Sequence, residues 1–398
     1  MHTLQEQHHV LVIPSWYPAF EGDVGGSFFR EQALALKSAG FKVGVIYPQI
    51  SSFKCLFKKN RKKGLAVSLD EEMPTYRYHF VNLSPRINSL TRKAWVKYGE
   101  TLYLNYVEKH GKPDIIHVHS MLNAGLLALV LKKKYNIPFV ITEHSTAFAR
   151  NLIDKSVINN LKSVVANADR CIAVSNEFKD LLNTIFSVNK WFYIPNIVCN
   201  KFLSYDLNKN HILGEGEAFT FINICLLDPK KKVDLLLHAF ALVQQKITNV
   251  KLVIGGNGPE LENLIDLAKA LKINNKVEFL GTLSREEVLE QVSLANAFVL
   301  SSEYETFGVV LVEALALGKP LVATKCGGPE SIISPEVGLL VNKNNEIELA
   351  EGMISLYEDY TQFNEQDIRD YCKKCFSEEA VVNSLTQMYR EILNNDSQ

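Results

Sequence analysis

Short apolar runs rich in β-branched residues alternate with longer amphipathic segments from one end of the chain to the other, and few architectures accept that rhythm. A run buried on both faces is what a parallel strand needs, and the segment after it is long enough to return as a crossover helix. In the first half the expected strands are residues 10–14, 42–47, 76–81, 114–120, 138–143, 170–174 and 191–195, with helices over 27–39, 92–110 and 124–135. A second series of strands, 219–225, 251–255, 276–280, 297–301, 320–323 and 338–341, follows a polar stretch, 198–217, that shows no period and reads as a linker.

At 398 residues the chain exceeds one ordinary core. The expectation is an α/β protein of two Rossmann-like, doubly wound parallel-sheet domains facing a central cleft. The first spans 1–197 and the second 198–377, with a C-terminal helix, 378–398, packing back on the first. Ligands of doubly wound sheets bind beyond the carboxyl ends of the strands. Two such crevices facing each other suit a reaction with two substrates.

Composition narrows the function classes. With 47% hydrophobic and 22% charged residues the chain is neither disordered nor fibrous. A net charge of -1 gives it no general affinity for polyanions, so nucleic acid is not an expected partner. Seven scattered cysteines, an odd number, fit a reducing compartment and free thiols rather than a disulfide framework. The apolar run 10–14 is too short for a secretory leader, and no stretch of about 18 apolar residues appears. A cytoplasmic location is expected, with any membrane contact peripheral.

The segment 301–320 carries the strongest chemical signal. A strand is expected to end at Ser301, a helix to start near Phe307, and that helix to close at Gly318 ahead of Pro320. The amides of Thr306, Phe307, Gly308 and Val309 then head a helix, where free N–H groups and the helix dipole favour an anion or sugar hydroxyls. Glu305 sits at that mouth, and Glu313 lies about 12 Å further along the axis. One carboxylate can meet a sugar while the other meets a ribose.

Glu305 and Glu313 in this frame, with Phe307, Gly308, Gly318, Lys319 and Pro320 around them, resemble the signature of glycosyltransferase family 4. The resemblance extends over nearly the whole chain. It includes Gly25 and Gly26 after the first strand, Pro113 to Ser120, Thr142-Glu143-His144, Val174-Ser175, Ile194-Pro195-Asn196, Asp228 to Lys231, Gly255 to Pro259, Phe279-Leu280-Gly281 and Gly327 to Glu330. Most of these are weak singly; their order and spacing are specific.

The resemblance implies a GT-B fold and a retaining sugar transfer without metal or cofactor, from a UDP-sugar or GDP-sugar donor to a glycan or lipid-linked acceptor. The first domain would hold the acceptor and the second the nucleotide. Glu313 would bind the ribose, Glu305 and the amides of Thr306 to Val309 the donor sugar, with Gly256, Asn257 and Leu280 completing the donor pocket. Lys231 would neutralise the leaving diphosphate, a charge that develops in the transition state. His144 would hydrogen-bond the donor sugar near the reacting carbon. Gly25 and Gly26 would let backbone approach a phosphate or acceptor oxygen closely. One position departs from the family pattern: Leu226 stands where an arginine is usual, which removes one expected phosphate donor.

His117 and His119 alternate on a strand and face one way, and with His144 they raise the question of a metal. No carboxylate motif completes such a site, and the chain has no Asp-x-Asp to hold a metal-bound diphosphate. Cys372 and Cys375 form a C-x-x-C without a second ligand pair. Carboxylates about 5 Å apart would suit double displacement through a sugar ester. Glu305 and Glu313 are too far apart for that, so same-face attack is favoured.

The run from Phe53 to Lys63 contains Lys54, Lys58, Lys59, Arg61 and Lys62 among Phe and Leu and no acid. It reads either as a solvated loop or as a patch for anionic lipid headgroups. Such a patch fits a lipid-linked acceptor at the inner face of a cell membrane, in bacterial surface polysaccharide or lipopolysaccharide assembly. Rival readings are a nucleotide-sugar epimerase or phosphorylase on the same fold, and a non-catalytic sugar-nucleotide scaffold.

Overall fold

Eight strands form the first sheet: β1 (His9–Pro14), β2 (Lys42–Ser51), β3 (Gly64–Asp70), β4 (Met73–Val81), β5 (Ile115–His119), β6 (Phe139–Glu143), β7 (Arg170–Ala173) and β8 (Trp191–Tyr193). Six form the second: β9 (Phe219–Ile224), β10 (Val250–Gly255), β11 (Val277–Gly281), β12 (Ala297–Leu300), β13 (Leu321–Lys325) and β14 (Gly338–Asn342). The computed structural model describes residues 8–19, 23, 25–53, 62–83, 88–210 and 213–395. The chain divides into two units, Met1–Val174 with Lys179–Ile194 and Val382–Gln398, and Ser175–Phe178 with Pro195–Val381.

The first sheet runs β3-β4-β2-β1-β5-β6-β7-β8 and the second β11-β10-β9-β12-β13-β14. Every neighbouring pair is parallel except β3 with β4. In each sheet the chain winds outward from its first strand and then crosses to the other side of it. The reversal falls between β1 and β5 in one sheet and between β9 and β12 in the other, and such a reversal opens a ligand crevice at the strand ends. Strands beside it, such as β1 (HVLVIP) and β5 (IIHVH), are buried along their whole length, which is why they read as unbroken apolar runs.

Strand β3 is the one element of the sheets that the sequence does not announce. It is an edge strand with Leu65, Val67 and Leu69 44%, 49% and 71% exposed, so it lacks the solid apolar run of its neighbours. It pairs antiparallel with β4 through a two-residue turn, Glu71 and Glu72, whose φ values are 46° and 63°. Asn-Gly is the usual sign of such a turn and Glu-Glu is not. Arg30 and Lys37, on the helix Ser27–Ser38, pin this turn through Asp70, Glu71 and Glu72.

The core of the second unit gathers Phe219, Phe221, Leu236, Phe240, Val299, Val322, Leu349 and Met353 between the sheet and its helices. The stretch 198–217 holds a short helix, Asn200–Leu203, and a 3-10 turn, Leu207–Lys209. Phe202, fully buried, anchors it. The last helix, Glu378–Asn395, contributes its residues from Val382 onward to the first unit. There the Tyr389 hydroxyl lies 2.6 Å from Nδ1 of His117. Cys372 is buried in the helix Glu365–Phe376, and its thiol donates to the Val312 carbonyl. Among the described residues no helix is long and apolar enough to cross a membrane, and no group of three His, Cys, Asp or Glu side chains is placed to hold a metal ion.

Candidate active site

In the second unit, the loops beyond the carboxyl ends of the strands are tied to one another through backbone. Cys225 N–H donates to Gly255 O, Gly256 N–H to Gly281 O and Leu227 N–H to Asn257 O, at 3.0, 2.7 and 2.9 Å. Gly256 cannot be replaced here without disruption: its φ is +129°, and a Cβ would sit 1.8 Å from the Cys225 carbonyl oxygen. Leu280 lies at the end of β11, next to the Gly281 that receives the Gly256 amide.

Lys231 and Glu305 meet beyond the ends of β9 and β12. Asp228 caps the 3-10 turn Pro229–Lys231, accepting from Lys230 N–H at 3.1 Å, and so fixes where the Lys231 side chain starts. Ser301 donates to the Lys231 carbonyl at 2.9 Å. The Lys231 ammonium donates to Oε1 of Glu305, and the same oxygen accepts from the Ser302 hydroxyl at 3.0 Å. Burial opposes the lysine's charge, but Glu305 beside it outweighs that, and the pKa lies above lysine's ordinary value. The result is a held cation, with its side chain 17% exposed, at the switch point of the second sheet.

Immediately beyond Glu305 the chain turns into the helix Val309–Ala316. Gly308 makes that turn at φ +100°, a left-handed conformation that other residues adopt at a cost. Phe307 is buried and packs edge-on against Phe376 at 5.9 Å, so it anchors the loop by its ring and can reach a ligand only by its backbone. Val309 opens the first turn, where an α-helix leaves N–H groups without intrahelical partners. The held cation and the helix head therefore belong to one loop system, with Thr306 at 8% exposure between them.

Glu313 is placed differently. It lies one turn inside that helix, is 1% exposed, and faces Arg285, whose Nη2 is 2.6 Å from Oε1. The contact is a close pairing of guanidinium with a buried carboxylate. Burial drives the Glu313 pKa up and Arg285 works against that. Arg285 in turn sits over the Phe202 ring at 4.9 Å. Glu305 and Glu313 thus have separate cationic partners.

The first unit gathers the remaining candidates. Gly26 caps the helix Ser27–Ser38, and the Gly25 amide donates to Asp23. The next residues of that helix, Phe28 and Phe29, place their rings 5.1 and 4.8 Å from the ring of His144. His144 follows β6 and is 7% exposed. Nδ1 of His119 approaches Nε2 of His144 at 3.2 Å. Glu143, fully buried, accepts three backbone N–H bonds, from Met121 at 2.8 Å and from His144 and Ser145 at 2.9 Å each. Burial nevertheless raises its pKa above the ordinary carboxylate value. This acid ties the loop after β5 to the loop after β6 and fixes the main chain of His144.

Of the sequence candidates, Lys231, Glu305, Thr306, Phe307, Gly308 and Val309 come together in the second unit, with Gly256, Asn257 and Leu280 on neighbouring strand ends. Gly25, Gly26 and His144 come together in the first. Leu226 is 60% exposed. Three contributors escaped the sequence reading. Arg285 gives no local sign of its partner 28 residues away. Glu143 had a usable signal, since an acid ending a fully buried strand must find donors. His119 shows in the sequence only as half of an alternating pair, and its link to His144 depends on strand order. The basic run 53–63 falls mostly on residues 54–61, outside the described residues.

Family patterns of known proteins match most of the chain. The pattern described as Glycosyltransferase Family 4 matches residues 25–199, and that described as Glycosyl transferases group 1 matches residues 207–374. An uncharacterized glycosyltransferase of Methanocaldococcus jannaschii is 30% identical over 298 residues, 72% of this chain and 78% of that protein. The N-acetyl-alpha-D-glucosaminyl L-malate synthase of Bacillus anthracis is 27% identical over 346 residues, 84% of this chain and 88% of that protein. Among solved structures, sucrose-phosphate synthase from Thermosynechococcus elongatus superposes with a TM-score of 0.75 at 21% identity, covering 98% of this chain and 100% of that one. The Anabaena protein HepE, solved in complex with UDP, gives 0.73 at 19% identity, covering 96% and 100%. Two doubly wound parallel sheets and both halves of the family pattern identify the fold as GT-B, and the chain belongs to glycosyltransferase family 4.

Proposed function

We propose that the chain is a retaining transferase that moves a hexose-type sugar from UDP or GDP to a glycan or lipid-linked acceptor, without a metal ion, in bacterial surface polysaccharide assembly. The observation that carries this reading is the Lys231 ammonium held by Glu305 beside the head of the helix Val309–Ala316. A fixed cation and a set of helix amides are what a departing nucleoside diphosphate needs. HepE was solved with UDP and with UDP-glucose, and the malate synthase relative is named for an N-acetylglucosaminyl product.

The bond from the anomeric carbon to the β-phosphate oxygen breaks, and that oxygen takes the electron pair. Lys231 and the amides of Phe307, Gly308 and Val309 stabilise the charge as it forms. The acceptor hydroxyl attacks from the same face, and its proton passes to the departing phosphate oxygen. No side-chain nucleophile enters this scheme, since Glu305 is committed to Lys231 and Ser302. Glu313 binds the ribose after Arg285 yields it. Gly256, Asn257 and Leu280 line the donor pocket, Gly25 and Gly26 admit the acceptor, and His144 binds the donor sugar.

The protein acts on the cytoplasmic side, with the basic run Phe53 to Lys63 reaching anionic lipid. Sedimentation with vesicles containing anionic lipid tests that part. Retention that ignores both lipid charge and salt would contradict it.

The transfer itself is tested by incubating the protein with a panel of UDP- and GDP-sugars and measuring nucleotide release with and without lipid-linked and soluble glycan acceptors. Release that depends on one donor and on an acceptor is expected. Interconversion of donor sugars without release would point to an epimerase.

A further inference from the structure

We propose that the outer edge of β3 is where two copies of this chain meet, antiparallel across a two-fold axis at Val67, so that their first sheets join into one.

The edge is open. β3 ends its sheet, and among the described residues only β4 pairs with it. Residues 65 to 69 are all exposed. The unpaired N–H and C=O groups of such an edge are a template for another strand, and natural sheets blunt it with lysine, proline, a bulge or a covering element. The sequence Gly64-Leu65-Ala66-Val67-Ser68-Leu69-Asp70 has no lysine or proline, and its register with β4 runs without a bulge. Leu65, Val67 and Leu69 alternate along the strand and so share one face. An exposed apolar row on a free edge is what a pairing strand presents.

The strand is complementary to itself. In an antiparallel pair centred on Val67, that residue faces Val67 of the second copy, Leu65 faces Leu69, and Ala66 faces Ser68. Beyond the strand ends the same register brings Lys63 to Glu71 of the second copy and Lys62 toward Glu72, and the two-fold axis makes each contact twice. Both lysines are exposed. Arg30 takes one oxygen of Glu71 and leaves most of that side chain in solvent. A slip by two residues sets Lys63 against Leu69 or Leu65 against Glu71, so the apolar row and the charges select one register.

Charge also separates a second copy from a lipid surface. Lysines lie at one end of β3, but Asp70, Glu71 and Glu72 close the other end with acid. An anionic membrane would repel that end, whereas a second copy running the opposite way meets each end with its opposite. One seven-residue edge is a small interface, so the dimer is reversible and concentration-dependent rather than obligate.

Sedimentation velocity of the full chain at concentrations up to about 200 µM tests the pairing. The wild type is expected to show a reversible monomer–dimer equilibrium. Val67→Glu, which sets like charges against each other on the axis, should raise the dissociation constant about 10-fold or more. Lys63→Glu and Glu71→Lys should each weaken the dimer, and an equimolar mixture of the two should restore it, because each altered charge then meets its opposite. Variants that had merely misfolded would not recover on mixing. A wild type that stays monomeric throughout, a dimer indifferent to Val67→Glu, or a mixture no more associated than its components would overturn the proposal. So would a monomer that binds vesicles of anionic lipid and loses that binding in Val67→Glu, which would give the strand to a membrane surface.

Discussion

Arg285 lies 2.6 Å from the carboxylate of Glu313, a residue 1% exposed inside the helix Val309–Ala316. A buried acid needs a countercharge, and this one takes it from the start of another helix, Arg285–Leu294, which itself rests on the buried ring of Phe202. If Glu313 binds the ribose as proposed, Arg285 must first give way.

Removing that arginine strands the acid. Arg285→Ala is expected to cost roughly 3 kcal/mol of stability in the second unit, since breaking a buried pair from one side leaves an uncompensated charge. Burial already raises the Glu313 pKa and Arg285 lowers it. Without Arg285 the folded pKa rises further, so the folded state binds more protons than the unfolded one over a wider range. Stability is then present below about 4.5 and lost as pH rises through the folded pKa. Thermal unfolding should show a larger loss at pH 8 than at pH 5, and Arg285→Ala with Glu313→Gln should remove the difference. A loss independent of pH would contradict this.

Glu305 is expected to act partly by keeping Lys231 charged. The lysine's pKa lies above its ordinary value because Glu305 outweighs burial. In Glu305→Gln burial remains and the attraction goes, so the pKa falls. The pH profile of kcat/KM for that variant should lose its alkaline limb earlier than the wild type, with decline setting in above about pH 8. Superimposable profiles would show that Glu305 has no such effect.

Acid should loosen the first unit. Burial lowers His9 to about 4 and His117 to about 3, from 6.5. The unfolded chain binds more protons between those limits, so stability is fully present above pH 6.5 and falls as pH drops toward 4. For His117 the slope approaches about 1.4 kcal/mol per pH unit. The unfolding midpoint should fall from pH 7 to 4.5, and His117→Gln should flatten that dependence. An unchanged slope would place the acid sensitivity elsewhere.

Gly256→Ala is a direct probe of the loops proposed to hold the donor. A methyl group 1.8 Å from a carbonyl oxygen, at φ +129°, forces the β9 and β10 loops apart. A loss of about 3 kcal/mol or more is expected, together with weaker UDP or GDP binding by calorimetry. Unchanged binding would separate this loop from the nucleotide.

Much of this was legible in the sequence, for physical reasons that vary by element. Strands such as β1 and β12 are buried on both faces, so apolar runs reveal them; β3 is exposed at an edge and its turn is Glu71-Glu72, so neither signal was there to read. The loop from Glu305 to Val309 was legible because strand end, glycine and helix start follow one another along the chain. Arg285 with Glu313, and Tyr389 with His117, are pairings created by topology, and no local pattern encodes which distant partner a buried charge or ring will find.

The most direct measurement is acceptor-dependent release of UDP or GDP by the wild type and by Lys231→Ala under single-turnover conditions. Loss of one fixed donor to a developing anion should slow transfer by about 100- to 1,000-fold while the donor still binds. Transfer by Lys231→Ala at the wild-type rate would contradict the placement of the leaving diphosphate at the Lys231–Glu305 pair.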